Sequence, residues 1–93
     1  MKFSEITVED IKEYCNAYDE DTKNLTIILA ASKGYIKSYT GRTVEDLDKY
    51  EEIAIASMIL CNEMFENRVF SVENDKVNTV VQSILDMHSF NLL

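Results

Sequence analysis

Residues 51–67 read Glu-Glu-Ile-Ala-Ile-Ala-Ser-Met-Ile-Leu-Cys-Asn-Glu-Met-Phe-Glu-Asn, and this stretch decides the fold. Apolar residues recur every three or four positions with no glycine or proline between them, which is the pattern of a helix. Together with the residues before it, the spacing predicts a helix from roughly Asp46 to Asn67. Leu47, Tyr50, Ala54, Ser57, Cys61, Met64 and Arg68 form one seam, while Ile53, Ile55, Ile59 and Leu60 leave the middle apolar on every side. A helix without a polar face has to be wrapped. It is therefore expected at the centre of the domain, covered by the other helices, with neighbouring subunits as a further source of cover.

The flanking segments supply those other helices. The chain has no proline and two glycines, so helix is the expected state nearly throughout. Thr7 followed by Asp10 is a capping pair for a first helix of about Val8 to Cys15, with Val8, Ile11, Tyr14 and Cys15 facing inward. The acidic turn Asp19-Glu20-Asp21 opens a second helix that runs to about Tyr39. Its inner stripe is Leu25, Ile28, Leu29, Ser32, Ile36 and Tyr39, and Lys33 and Lys37 share an outer face. Gly34 inside it costs about 1 kcal/mol relative to alanine, and marks either close packing or a local weakness. Gly41 ends it by taking the left-handed conformation. After a loop over 69–75, Asn74 or Asp75 caps a last helix of about Lys76 to Met87. There apolar residues at 77, 80, 81, 84 and 85 fit a helical face, and strict alternation fails. The expectation is an all-α, four-helix bundle-like domain over residues 1–93, with a central apolar third helix and a short C-terminal tail. Phe90, Leu92 and Leu93 make that tail apolar, so it requires a docking surface.

Charge and composition exclude several classes of function. Nine basic against 17 acidic residues give a formal charge of -8, which repels nucleic-acid phosphates and anionic membrane surfaces. The uncharged run Ile53 to Asn62 is far short of the roughly 20 residues that a membrane span needs. Met1-Lys2-Phe3 leads straight into Ser4-Glu5, unlike a secretory signal, so the expected place is the cytoplasm. Cys15 and Cys61 sit in apolar patterns and read as reduced core thiols, not as a disulfide or zinc framework.

Chemistry-bearing motifs are few. His88 is the one histidine, with no nucleophile elbow around it, and it reads as a satisfied or subunit-facing side chain. The chain has no Glu-x-x-His pair for a di-iron site, and two separated cysteines do not complete a zinc site. Lys23 falls where a calcium loop beginning at Asp19 would need an oxygen ligand. No glycine-rich loop cradles a phosphate. Lys33, Lys37 and Arg42 read as a solvated face paired with nearby carboxylates, and Tyr14, Tyr35, Tyr39 and Tyr50 read mostly as core with hydroxyls outward. No catalytic, metal or cofactor site is expected, and the residues point to a protein that binds other proteins.

The order of several segments then carries a resemblance. Ile6-Thr7-Val8-Glu9-Asp10-Ile11-Lys12-Glu13-Tyr14, the acidic turn, Tyr35-Ile36-Lys37-Ser38-Tyr39-Thr40-Gly41, and Glu63-Met64-Phe65-Glu66-Asn67-Arg68 together resemble the head-tail connector proteins of tailed bacteriophages. The ending, Asn74-Asp75-Lys76-Val77-Asn78 and then Ser83 through Leu93, looks like the branch found in phages and prophages of Gram-positive bacteria. The likeness runs along essentially the whole chain, and Gly34 departs from the family's pattern. It implies a non-enzymatic virion protein without cofactors, sometimes labelled a DNA-packaging protein. Such a protein is one subunit of a ring joining the portal to the tail, present in the host cytoplasm during assembly and at the head-tail interface afterwards. Its partners would be further copies of itself, the portal protein and tail-side connector proteins. Arg68, Phe70, His88, Phe90, Leu92 and Leu93 are the expected contacts with subunits or portal, the alternative being a tail folded on its own bundle. A second reading is a small acidic inhibitor that imitates DNA, which would need carboxylates arrayed along one face.

Overall fold

Why the chain becomes helical where it does is visible at the helix ends. The computed structural model describes residues 1–72 and 77–89. Among these, five α-helices form: α1 Val8–Tyr14, α2 Thr22–Thr40, α3 Val44–Leu47, α4 Glu51–Asn67 and α5 Thr79–Met87. Thr7 Oγ1 accepts from the Asp10 amide at 3.2 Å, and Asp10 Oδ2 accepts from the Thr7 amide at 2.9 Å. This reciprocal cap satisfies two otherwise orphaned donors at the start of α1. A 3-10 turn over Asp19–Asp21 leads into α2. Gly41 ends α2 at φ 69°, where a side chain would be strained.

The expected third helix is instead two. Its predicted start lies in α3, capped by Thr43, and the chain leaves helical geometry before Tyr50, which is extended at φ -122° and ψ 109°. The cause is non-local. Asp48 accepts from the amide and hydroxyl of Ser4, at 2.8 and 2.6 Å, which fixes the turn against the N-terminal segment. The apolar period runs across this break and so concealed it. The last helix likewise starts later than Lys76. Asn78 is its cap, accepting from the Val80 amide at 2.7 Å, while Asn74 and Asp75 lie outside the described residues.

The core lies between α2 and α4. Leu25, Ile28, Leu29 and Ile36 of α2 meet Ile53, Ala54, Ala56, Leu60, Cys61 and Met64 of α4. Ile11 closes one side of this seam, Val81 and Leu85 the other, and Phe3 and Ile6 cover it from the N-terminal segment. Each fully buried aliphatic side chain contributes about 1.5–3 kcal/mol relative to exposure. Helix α4 is central as expected, touching α1, α2, α5 and the N-terminal turn. Helices α2 and α4 run antiparallel. Ser32 meets Ser57 at mid-length, and residues 88 and 89 bridge the first turn of α4 to the last of α2.

Several placements differ from the sequence reading. Tyr14 is 46% exposed and Val80 56% exposed, because the short α1 and α5 each bury a narrower stripe than their apolar patterns allow. Arg68 does not continue the α4 seam; it is exposed at φ 55° as the left-handed end of the helix. Lys33 is not on the outer face with Lys37. It is half-buried, donates to the Ile6 carbonyl at 3.0 Å and lies 5.8 Å from the Phe3 ring centroid. Gly34 is settled too: among the described residues nothing beyond its own helix lies within 4 Å of where its Cβ would stand, so close packing against them is not its reason.

Candidate functional site

The six expected contact residues fall at different places. Phe90, Leu92 and Leu93 lie outside the described residues. Arg68 and Phe70 sit together just past the end of α4, where the Arg68 guanidinium stacks 4.5 Å from the Phe65 ring centroid and Phe70 is 44% exposed. His88 is at the opposite pole, beside the first turn of α4. Glu52, its partner, and Arg68 are sixteen positions apart on one helix, which is about 24 Å. The structure therefore does not join His88 with Arg68 and Phe70 in one patch.

At the Arg68 pole the turn after α4 leaves a groove of about 400 Å³ lined by Leu60, Met64, Val69, Val72 and Val77, with Glu63 and Asn67 at its rim. Val69 and Phe70 expose apolar area beside it. Asn78 Nδ2 donates to Glu63 Oε1 at 2.9 Å and so fixes the start of α5 against this end of α4.

At the other pole His88 points inward and is only 8% exposed. Its ring lies 4.1 Å from the Tyr50 ring centroid, and Nε2 is 2.8 Å from Glu52 Oε1. Its carbonyl accepts from Arg42 Nε, and the same guanidinium lies 5.6 Å from the Tyr50 ring centroid. Ser89 Oγ donates to the Tyr39 carbonyl at 3.1 Å, and the Tyr39 hydroxyl donates to Asp86. The Glu52 carboxyl is held below its ordinary range, first by its own amide at the start of α4 and then by His88. Hydrogen bonding to Asp86, then burial, pushes the Tyr39 hydroxyl up. This cluster fixes where the chain leaves α5. Sequence reasoning found His88 but not Arg42, Tyr50 or Glu52 around it, because the cluster's members lie up to 50 positions apart.

The rest of the reactive inventory is committed to packing. Burial pushes the Cys61 thiol up to about 11, and the Cys15 thiol is raised as well. Among the described residues no group of three or more His, Cys, Asp or Glu side chains is placed to hold a metal ion, and no helix is long and apolar enough to cross a membrane. What remains as a candidate site is surface. Ile55, at the middle of the central helix, is 49% exposed, with Met58 and Ile59 half-buried beside it. The helix expected to be covered on every side is uncovered there. Comparison with protein-family models, curated proteins and solved structures gives no match to this chain.

Proposed function

We propose that the chain is a structural subunit of a ring that joins the portal of a tailed phage to its tail after DNA packaging. The observation that carries this reading is Ile55, half exposed at the centre of a helix whose other faces are packed. A small domain that leaves its central helix uncovered gains stability when another subunit covers it. The ordered likeness to head-tail connectors supplies the kind of assembly. In this reading the partners are further copies of the chain, the portal and the tail-side connector proteins. The place of action is the head-tail interface of the virion. No catalysis is assigned: the single histidine is engaged by Tyr50 and Glu52, and the Cys61 thiol is kept protonated by burial. The charge of -8 lets DNA pass a ring without being held.

The acidic-inhibitor reading is weaker. A DNA imitation needs an unbroken carboxylate face, whereas α2 carries three lysines and no acidic residue along its 19 positions.

Light scattering and electron microscopy of the protein alone and with a portal ring test the proposal. Concentration-dependent rings, or a stoichiometric layer on the portal, are expected. A protein that stays monomeric at high concentration and does not bind the portal refutes it.

A further inference from the structure

The outward stripes of α2 and α4 differ in charge and in bulk. On α2, Lys23, Ile27, Ala30, Gly34 and Lys37 are all exposed and follow one another at helical spacing. On α4 the corresponding stripe is Glu51, Ile55, Met58 with Ile59, Asn62 and Glu66. Helix α2 contains no acidic residue, and α4 contains four glutamates and no lysine or arginine. Because α2 and α4 pack on each other through their inner faces, these two stripes look out from opposite sides of the helix pair.

We infer that the α2 stripe of one copy docks on the α4 stripe of the next, as a head-to-tail contact between identical chains. The inference rests on the ring-subunit reading and goes further by naming both faces. Three observations support it. The lysines at the ends of the α2 stripe are fourteen positions apart and the glutamates at the ends of the α4 stripe fifteen, about 21 and 22 Å along each helix. A copy shifted along the direction from α4 to α2 without being turned over presents its α4 antiparallel to the first copy's α2. In that register Glu66 faces Lys23, Ile59 faces Ala30, Ile55 faces Gly34 and Glu51 lies near Lys37, so bulky side chains meet small ones. Finally, a shallow groove of about 420 Å³ beside Ala30 and Gly34, bounded by Phe3, Lys33 and Val44, gives Ile55 a place to enter. Gly34, which packing among the described residues does not explain, then permits the close approach. Unlike faces on opposite sides generate a ring where the rotation closes.

Both glutamates are available despite local contacts: Glu51 lies 3.6 Å from the Met1 amino group and Glu66 accepts from Asn62 at 3.2 Å, and both stay exposed. The test is a charge exchange followed by sedimentation. A Lys23→Glu/Lys37→Glu variant has two acidic faces, and a Glu51→Lys/Glu66→Lys variant has two basic ones. Each alone is expected to associate at least about tenfold more weakly than the unmodified protein, through like-charge repulsion. An equimolar mixture is expected to recover, because every contact in it pairs opposite charges. Circular dichroism should show unchanged helicity, and added salt should weaken association of the unmodified chain. Variants that associate singly as well as the original, or a mixture that does not recover, overturn the inference. Portal binding without any self-association overturns it while leaving the ring-subunit reading in place; loss of both removes the two together.

Discussion

His88 Nε2 lies 2.8 Å from Glu52 Oε1, 36 positions earlier, and this contact joins the end of α5 to the first turn of α4. The imidazole is almost fully buried and also packs on Tyr50. Replacing His88 by alanine removes an aromatic contact of about 0.5–1.5 kcal/mol and a hydrogen bond to a partly exposed carboxylate. A loss of about 2 kcal/mol in unfolding free energy is expected from urea titration. A loss below about 0.5 kcal/mol, the level of an ordinary surface change, would mean that the contact is incidental.

The same pair gives stability a pH signature. The folded-state Glu52 carboxyl is lowered from its ordinary 4.5, first by its own amide and then by His88. The unfolded chain therefore binds this proton more readily than the folded one. The contribution of Glu52 is complete above 4.5 and is lost as pH falls through the lower folded value. The difference in urea midpoint between the unmodified protein and Glu52→Gln should be greatest near neutrality and shrink in acid. A difference that grows on acidification contradicts this assignment.

Between α2 and α4, the Ser32 and Ser57 hydroxyls lie 3.0 Å apart with no exposure. Ser32→Ala takes the hydroxyl partner from Ser57 in an apolar seam, which costs about 1–3 kcal/mol, whereas Ser57→Ala costs less because Ser32 Oγ keeps the residue 57 carbonyl as an acceptor at 3.4 Å. The double alanine variant removes both polar groups together, so its loss should be smaller than the sum of the single losses. A thermodynamic cycle from chemical denaturation reads this directly, and strict additivity would show that the two hydroxyls act independently.

Gly34 gives a prediction of opposite sign. It lies in the interior of α2 with open space where a Cβ would be. Gly34→Ala should stabilise the monomer by about 1 kcal/mol, by lowering the freedom of the unfolded chain. Thermal melts at a concentration too low for association would show it as a rise in Tm. An unchanged or lowered Tm refutes the argument.

What was legible in the sequence was local. The Thr7 and Asp10 cap, the Gly41 stop and the inner stripe from Leu25 to Ile36 each depend on residues within a turn or two, and all are found as read. The break before Tyr50 was hidden because it is imposed by Ser4, 44 positions away, while the apolar period ran on. The exposure of Tyr14 and Val80 was hidden for a related reason: periodicity marks a face, but the breadth of burial is set by what packs there. The surface was least legible. His88 stands out as a lone histidine, yet its partners come from two separate stretches, Arg42 after α2 and Tyr50 with Glu52 at the start of α4. Ile55 read as buried because the pattern cannot say which side of a wholly apolar helix goes uncovered.

The two thiols should separate by reactivity. Cys61 is fully buried in α4, and burial pushes its pKa to about 11, so almost none is thiolate near neutral pH. Cys15 follows directly after α1 and is half-buried, its own pKa also raised, first by burial and then by Glu66. Labelling of the folded protein with a neutral thiol reagent should therefore proceed in two phases. Cys15 reacts first, slowly for a cysteine, and Cys61 only as fast as the α2–α4 seam opens. In urea both should react in one fast phase. Cys15→Ser should abolish the earlier native phase and leave the later one intact. Equal native rates for the two thiols would mean that the centre of α4 is open to solvent, against the packing that puts Cys61 beside Ser32 and Ser57.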